Sequence, residues 1–193
     1  TLQVLDYAVL VISGADGVQG HTETLWKLLK FYEIPTFIFI NKMDQQGTDK
    51  EALLLELKER LDESCICFEE SKGSTTGELR AETLEELAMT DEKILDYFME
   101  NESIRKEDIC RLIKERKVFP CYFGSALKLE GVQELLFGFE QYMESYTGTE
   151  EFGAKVFKIS RDDKGERLTF LKVTGGKLIV KMPINKEEKV NQI

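Results

Sequence analysis

Residues 36–44 read TFIFINKMD, an apolar run that ends directly in a polar loop. A run of this kind without polar alternation is typical of a strand buried on both faces, as in a parallel sheet. A second run, YAVLVIS, occupies residues 7–13 and leads into the glycine-rich turn GADGVQG. Between the two runs lies a segment with leucines at helical spacing, and Pro35 ends it. Strand, helix and strand at this short spacing predict a βαβ unit and therefore a parallel α/β sheet.

The rest of the chain continues this alternation and then departs from it. The patterns predict helices at residues 48–62, 80–89, 91–100, 104–116 and 130–144, strands at residues 64–68 and 118–123, and a polar loop at residues 71–77. Beyond the turn-rich stretch SYTGTEEFG, the segments AKVFKIS, RLTFLKV and LIVKM alternate apolar and polar residues. They predict antiparallel strands joined in hairpins, and so a second structural unit.

Charge divides the chain in a similar way. The net charge is −10, with 26 basic and 36 acidic side chains. Residues 61–101 carry a net −9, whereas residues 151–193 carry a net +4. Two units in different surroundings, or simply two differently charged solvated faces, would both give this pattern. The overall charge argues against general binding of nucleic acid, which needs clustered Lys and Arg.

Membrane and metal-binding classes are disfavoured. No apolar run approaches the roughly 18 residues that a membrane span requires, and we expect no membrane partner. Four cysteines at positions 65, 67, 110 and 121 lack the partner spacing of a metal site, so no metal ligand is predicted among them. Free, partly buried thiols suit the reducing cytoplasm.

Two polar loops follow predicted parallel strands and are the candidate site. The loop Asn41-Lys42-Met43-Asp44 follows TFIFI, and Gly124-Ser125-Ala126 follows the strand at residues 118–123. Ligands of open α/β sheets bind beyond the carboxyl ends of the strands. Both loops are therefore predicted to line one crevice.

The residue types in these loops suit guanine. The carboxylate of Asp44 offers two acceptor oxygens to the N1–H and 2-amino donors of the base. Asn41 offers an amide donor to N7, and the stem of Lys42 can lie over the base plane. Small residues at Ser125 and Ala126 let a backbone N–H approach the 6-keto oxygen. Adenine would leave such groups unpaired and be rejected. The competing interpretation is that Asn41 and Asp44 only cap the next helix or shape a turn.

The combination of these motifs carries a family resemblance. The stretches LDYAVLVISGADGVQGHTETLW, IPTFIFINKMDQQG, VFPCYFGSALKLEGVQELL and FGAKVFKISRDDKGERLTFLKVTGGKL resemble translational GTPases of the elongation factor G type, most closely the tetracycline-resistance ribosomal protection proteins. The resemblance implies that Asn41, Lys42, Asp44, Ser125 and Ala126 recognise guanine. It also implies that Leu127 helps to cover the base.

The resemblance implies a fold and a division into domains. The expected fold class is α/β, a partial P-loop GTPase-type parallel sheet with helices, an inserted helical subdomain and the first strands of a following β-barrel domain. Asp44 and Gly124 stand 80 positions apart, although one strand–helix–strand unit needs only about 30 residues. The expected parts are a first G-domain segment at 1–63, the insert at 64–116, the last G-domain strand and helix at 117–147, and the start of the barrel at 148–193.

The phosphate-binding half of such a GTPase is not in this sequence. No G-x-x-x-x-G-K-[ST] loop occurs in it, and Gly175-Gly176-Lys177 lacks the spacing and the following helix. We expect that loop, and the D-x-x-G-His motif, upstream of Thr1. No catalytic residue is therefore predicted in this chain; His21 opens a helix and does not match the family's catalytic position. Mg²⁺ would be bound only in the intact protein, through residues absent here.

The leading hypothesis is a fragment of a cytoplasmic, ribosome-associated GTPase that binds GTP or GDP and hydrolyses GTP when intact. Within the family that the chain resembles, Gln45 and the stretch YFGSAL look more like ribosomal protection proteins than like translocation factors. One alternative is a non-catalytic binding module built on a guanine-nucleotide fold, and another is a guanine-nucleotide enzyme unrelated to translation. Unpaired β edges after Phe152 predict self-association of the chain.

Overall fold

The residues described in the computed structural model are 2–69, 78–144, 148–183 and 189–190. The loop predicted at residues 71–77 therefore lies outside the described residues. The chain divides into two compact units. The larger is residues 6–144, and the smaller combines residues 1–5 with residues 145–193.

A parallel sheet of four strands forms the centre of the larger unit. Its strands are β1 (Ala8–Ser13), β2 (Thr36–Asn41), β3 (Cys65–Cys67) and β4 (Phe119–Phe123). The strand order is β1-β2-β4-β3. Ser13 is the register partner of Asn41, and Ile40 is the partner of Phe123, so three strands end at one edge of the sheet. The predicted parallel α/β sheet is confirmed.

Helices connect the strands, and local sequence sets where several of them begin. They are α1 (Gly20–Phe31), α2 (Lys50–Arg60), α3 (Ala81–Ala88), α4 (Glu92–Asn101), α5 (Lys106–Lys114) and α6 (Val132–Tyr142). The Asp49 carboxylate accepts the backbone N–H groups of Glu51 and Ala52, so α2 begins two residues later than the predicted start at 48. Asp91 caps α4 in the same way.

The sheet separates two apolar clusters. On β2, the side chains of Phe37 and Phe39 join one cluster, and those of Ile38 and Ile40 join the other, as the period of two in a strand requires. The first cluster is completed by helices α3 to α6, and the second by α1 and α2. β2 is thus covered on both faces, which explains its uninterrupted apolar sequence.

Trp26 holds α1 against the neighbouring elements. Its indole N–H donates to the carbonyl of Leu61 at 2.9 Å, and its ring meets the edge of Phe119 with centroids 4.6 Å apart. The guanidinium of Arg116 lies over both rings and donates to the carbonyl of Ile34. Burial lowers the pKa of Arg116, which nevertheless remains cationic.

Residues 64–116, predicted as an inserted subdomain, contribute directly to this architecture. β3 pairs with β4 from Cys65–Phe119 to Cys67–Cys121 and so extends the main sheet. Leu87, Ile94 and Leu112 from the following helices are buried in the first cluster. The boundaries at 64 and 116 remain a prediction. The described part of the segment both extends the sheet and covers one of its faces.

The smaller unit is an antiparallel hairpin of β5 (Gly153–Arg161) and β6 (Arg167–Gly175). The ammonium groups of Lys155 and Lys172 donate to the carbonyls of Gln3 and Val4, which belong to a short 3₁₀ helix at Leu2–Val4. This second, antiparallel sheet agrees with the sequence-based expectation.

The prediction of a third strand at LIVKM, residues 178–182, is wrong. Within residues 178–182 the chain makes a turn at 180–181 and no strand, because Lys181 adopts a left-handed backbone with φ of 69° and the N–H of Met182 donates to the carbonyl of Ile179 at 3.1 Å. The N–H of Lys181 donates to the carbonyl of Val190 at 2.7 Å, and the N–H of Val190 donates to that of Met182 at 2.9 Å. These bonds accompany only an isolated bridge between Pro183 and Lys189, so alternation between apolar and polar residues did not suffice to make a strand.

Among the residues the structure describes, no helix combines the length and apolar character that crossing a bilayer demands.

Replacing Leu112 by Ala tests the first apolar cluster. Leu112 is fully buried in α5, so the truncation should lower the free energy of unfolding by about 2–5 kcal/mol. Leu55→Ala on α2, where the side chain is 61% exposed, is the matched control and should stay within about 0.5 kcal/mol. Urea unfolding followed by circular dichroism measures both. Equal losses in the two variants would contradict the described core.

The hairpin should cause self-association of the chain of residues 1–193. Val156, Ile159 and Phe170 are all at least 40% exposed on a two-stranded sheet, and exposed apolar strands pair readily. Sedimentation velocity at rising concentration should show dimers or larger species. Ile159→Lys should suppress them, whereas Leu55→Lys on α2 should not. A monomer at all concentrations would refute this expectation.

Candidate functional site

Two loops meet where β2 and β4 end. The N–H of Met43 donates to the carbonyl of Gly124 at 3.0 Å, and the N–H of Gly124 donates to the carbonyl of Ile40 at 2.9 Å. These bonds prolong the β2–β4 ladder beyond the last paired residues. The loop at residues 41–44 is therefore held beside the loop at residues 124–131, as predicted for neighbouring strands of a parallel sheet.

The side chain of Asn41 fastens the two loops together. Its Oδ1 accepts the N–H of Lys42 at 2.8 Å and the N–H of Ala126 at 2.9 Å. The amide NH₂ of Asn41 has no hydrogen-bond partner within the described part of the chain, and it remains able to donate to a ligand. One side chain can thus position both loops and still present a donor.

Lys42 turns the chain sharply after β2. Its φ of 66° lies in the left-handed region, which is costly for a residue with a Cβ. The bond from its N–H to Asn41 offsets part of that cost, and the N–H of Gln45 donates to its carbonyl at 3.2 Å. The Lys42 side chain is exposed, so its stem is accessible to a planar ligand.

Asp44 is an ionised acceptor in this crevice. A hydrogen bond from the Ser125 hydroxyl holds the pKa of Asp44 below its ordinary value, against a smaller opposing effect of desolvation. The ammonium of Lys128 also lowers the pKa of Asp44, with its Nζ 3.4 Å from Oδ2 of Asp44. The carboxylate therefore stays negative at neutral pH and attracts N–H donors.

The second loop is closed on itself. Ser125 and Glu130 exchange two backbone hydrogen bonds, of 3.0 and 3.1 Å. A Cβ on Gly124 would lie 2.0 Å from the carbonyl oxygen of Glu130, and Gly131 has a φ of 74°. Two glycines therefore permit a loop tight enough to bury Ser125, which is 1% exposed.

The backbone donors expected for a keto oxygen are already in use. The N–H of Ser125 donates to Glu130, and that of Ala126 donates to Asn41. A keto oxygen would have to share the Ala126 N–H or approach the N–H of Leu127. The side chain of Leu127 is 92% exposed and does not cover the crevice in this structure.

The structure thus brings four of the six predicted site residues together: Asn41, Asp44, Ser125 and Ala126. Lys42 and Leu127 lie at the same loops with exposed side chains. His21 lies in the first turn of α1, also exposed.

Sequence reasoning missed three supporting residues. Lys128 contacts Asp44, and the hydroxyl of Thr48 donates to the carbonyl of Met43 at 2.9 Å. The N–H of Gly14 donates to the carbonyl of Asn41 at 2.7 Å, and a Cβ at Gly14 would lie 2.8 Å from the sulfur of Met43. A glycine at the carboxyl end of a predicted neighbouring strand was the available signal for Gly14. Nothing in the sequence marked Lys128.

Comparison with known proteins adds independent evidence. A family model for the elongation factor Tu GTP binding domain matches residues 1–145. An oxytetracycline resistance protein of Streptomyces rimosus is 31% identical over 92% of this chain and 30% of its own length. Tetracycline resistance protein TetO of Campylobacter coli is 30% identical over 98% and 31%, and TetW of Butyrivibrio fibrisolvens is 32% identical over 92% and 29%.

The fold has a solved counterpart as well. A crystal structure of a protein from Thermus thermophilus superposes with a TM-score of 0.71, at 22% identity, over 91% of this chain and 32% of that one. The chain spans only about 30% of the length of the curated relatives it matches. The family model covers most of the chain, and the resemblance to translational GTPases is confirmed. The chain belongs to the family of the elongation factor Tu GTP binding domain.

Proposed function

We propose that this chain is the base-recognition part of a translation factor that binds GTP and GDP on the ribosome and hydrolyses GTP when whole. The observation that carries the proposal is the bond from the Ala126 N–H to Oδ1 of Asn41. It joins two loops far apart in sequence into one crevice at the carboxyl edge of a parallel sheet. Family membership makes a guanine nucleotide the expected ligand of that crevice.

The donor and acceptor pattern of the crevice supports guanine as the base. The ionised carboxylate of Asp44 would accept the N1–H and 2-amino hydrogens in a bidentate pair. The NH₂ of Asn41 would donate to N7, and the exposed stem of Lys42 would lie against the ring. Adenine has no hydrogen at N1 and an amino group in place of the keto oxygen, so it would leave Asp44 without partners.

The geometry of the crevice weakens the competing interpretation that Asn41 and Asp44 only cap the next helix or shape a turn. Asp49, not Asp44, caps α2. Asn41 does shape a turn, through Lys42, but its second bond to Ala126 exceeds what a turn requires.

Hydrolysis would depend on parts outside this chain. Mg²⁺ and a phosphate loop would neutralise and orient the phosphates in the whole protein. The residues described here would fix the base, and through it the distance of the phosphates from that loop. We propose no catalytic residue and no Mg²⁺ ligand within residues 1–193.

We further propose that the whole protein works in the cytoplasm and contributes to tetracycline resistance. The support is the similarity to relatives that are named for resistance to tetracycline or oxytetracycline. In this proposal residues 64–116 form the insert of the G domain, and residues 148–193 begin the following barrel.

Asp44→Asn should convert the base preference of the whole protein. The amide loses one of the two acceptors that guanine needs, so the affinity for GDP should fall about 10- to 100-fold. The new NH₂ can donate to the 2-keto oxygen of xanthine, so xanthosine diphosphate should bind better than GDP. Isothermal titration with both nucleotides measures the switch.

Asp49→Asn is the matched control for this switch. The same chemical change is made outside the crevice, and Asn caps a helix about as well as Asp. Its nucleotide preference should equal that of the parent protein. A GDP affinity unaffected by Asp44→Asn would remove Asp44 from the base site.

Residues 1–193 by themselves should bind GDP weakly, because base contacts act without the phosphate loop. Titration beside a protein that includes the expected upstream loop should give tight, Mg²⁺-dependent binding only in the longer protein. Tight binding by residues 1–193 alone would instead favour a binding module without catalysis. Absence of binding in both would contradict the guanine assignment.

A further inference from the structure

The carboxylate of Asp44 is already occupied by donors of this chain. The Ser125 hydroxyl donates a hydrogen bond to it, and the Lys128 ammonium forms an ion pair with it. Guanine would bring two further N–H donors to the same two oxygens. Any donor that stands in the plane of the carboxylate then competes with the base.

The two internal donors differ in how firmly they are held. Ser125 is 1% exposed, and the strand-like pair of bonds with Glu130 fixes its backbone. Lys128 has a side chain that is 52% exposed and reaches Asp44 through a flexible four-carbon stem. Ser125 therefore remains in place when a ligand enters, whereas Lys128 is able to withdraw.

The contact of Lys128 has the character of a weak, replaceable ion pair. Its Nζ lies 3.4 Å from Oδ2 of Asp44, longer than a usual charge-assisted hydrogen bond. The backbone N–H of Lys128 donates to the carbonyl of Ser125 at 3.1 Å. That bond holds the backbone of the loop and leaves the side chain able to swing outward.

We propose that Lys128 is an internal competitor of the guanine base: its ammonium pairs with one oxygen of Asp44 and must leave before the base can pair with both oxygens. Lys128 thereby neutralises the charge of Asp44 when no base is bound, lowers the affinity for guanine nucleotide and speeds its release. Lys128 sets the affinity of the site through its contact with Asp44, and it takes no part in hydrolysis. This inference rests on the proposed function.

Lys128→Met in the whole protein is the test. Methionine keeps an unbranched apolar stem and removes the ammonium. Because an exposed ion pair is weak, the variant should bind GDP about two- to fivefold more tightly than the parent, mainly through slower release. Isothermal titration measures affinity, and stopped-flow displacement of a fluorescent GDP analogue measures release. Raising the salt concentration should shrink the difference, because salt screens the ion pair in the parent protein.

Two controls separate this effect from others. Lys27→Met removes an exposed charge on α1, away from the crevice, and should leave GDP binding unchanged. In an Asp44→Asn background the carboxylate is gone, so Lys128→Met should not tighten the binding of xanthosine diphosphate.

Each outcome decides one of the two proposals. Weaker or equal GDP binding by Lys128→Met, with a parent protein that binds GDP, would overturn the competitor role and leave the base site intact. Equal tightening by Lys27→Met would also overturn it, as a general charge effect. Failure of the parent protein itself to bind GDP would refute the proposed function.

Discussion

The parallel ladder between β2 and β4 is the interaction on which the larger unit depends. Parallel neighbours cannot be joined by a tight turn, so the chain must leave after Asn41 and return at Phe119. Closing so long a segment costs conformational entropy. Burial of its helices against Phe37 and Phe39 offsets that cost. The same ladder sets the loops after both strands side by side, and it therefore creates the crevice and the core in one step.

Much of this arrangement followed from sequence because it rests on periodicity. The apolar run at residues 36–40 needed two covered faces, and helices on both sides of the sheet provide them. The pairing of the loop at Asn41 with the loop at Ser125 was also predictable, since carboxyl ends of parallel strands share an edge. The lack of a strand at LIVKM could not be predicted in this way. A period of two describes a single strand and does not show whether a neighbouring strand pairs with it along its length.

The contacts that refine the crevice were beyond sequence reasoning for a different reason. The Oδ1 of Asn41 accepts two backbone N–H groups. One of them is the N–H of Ala126, which was expected to donate to a keto oxygen. Such bonds depend on backbone positions to within a few tenths of an ångström. The contact of Lys128 with Asp44 was equally unpredictable. The partner of a flexible side chain is determined only by the final shape of the loop between Gly124 and Gly131.

The packing of Trp26 gives the larger unit a built-in spectroscopic reporter. It is the single tryptophan of the chain, it is 4% exposed, and it lies against Phe119 and the guanidinium of Arg116. Its emission in the folded protein is expected at short wavelengths and moves to longer wavelengths once water reaches the indole. Because the hairpin of β5 and β6 carries no tryptophan, intrinsic fluorescence follows the melting of the sheet and its helices alone, and the hairpin can be followed separately by a probe attached to it.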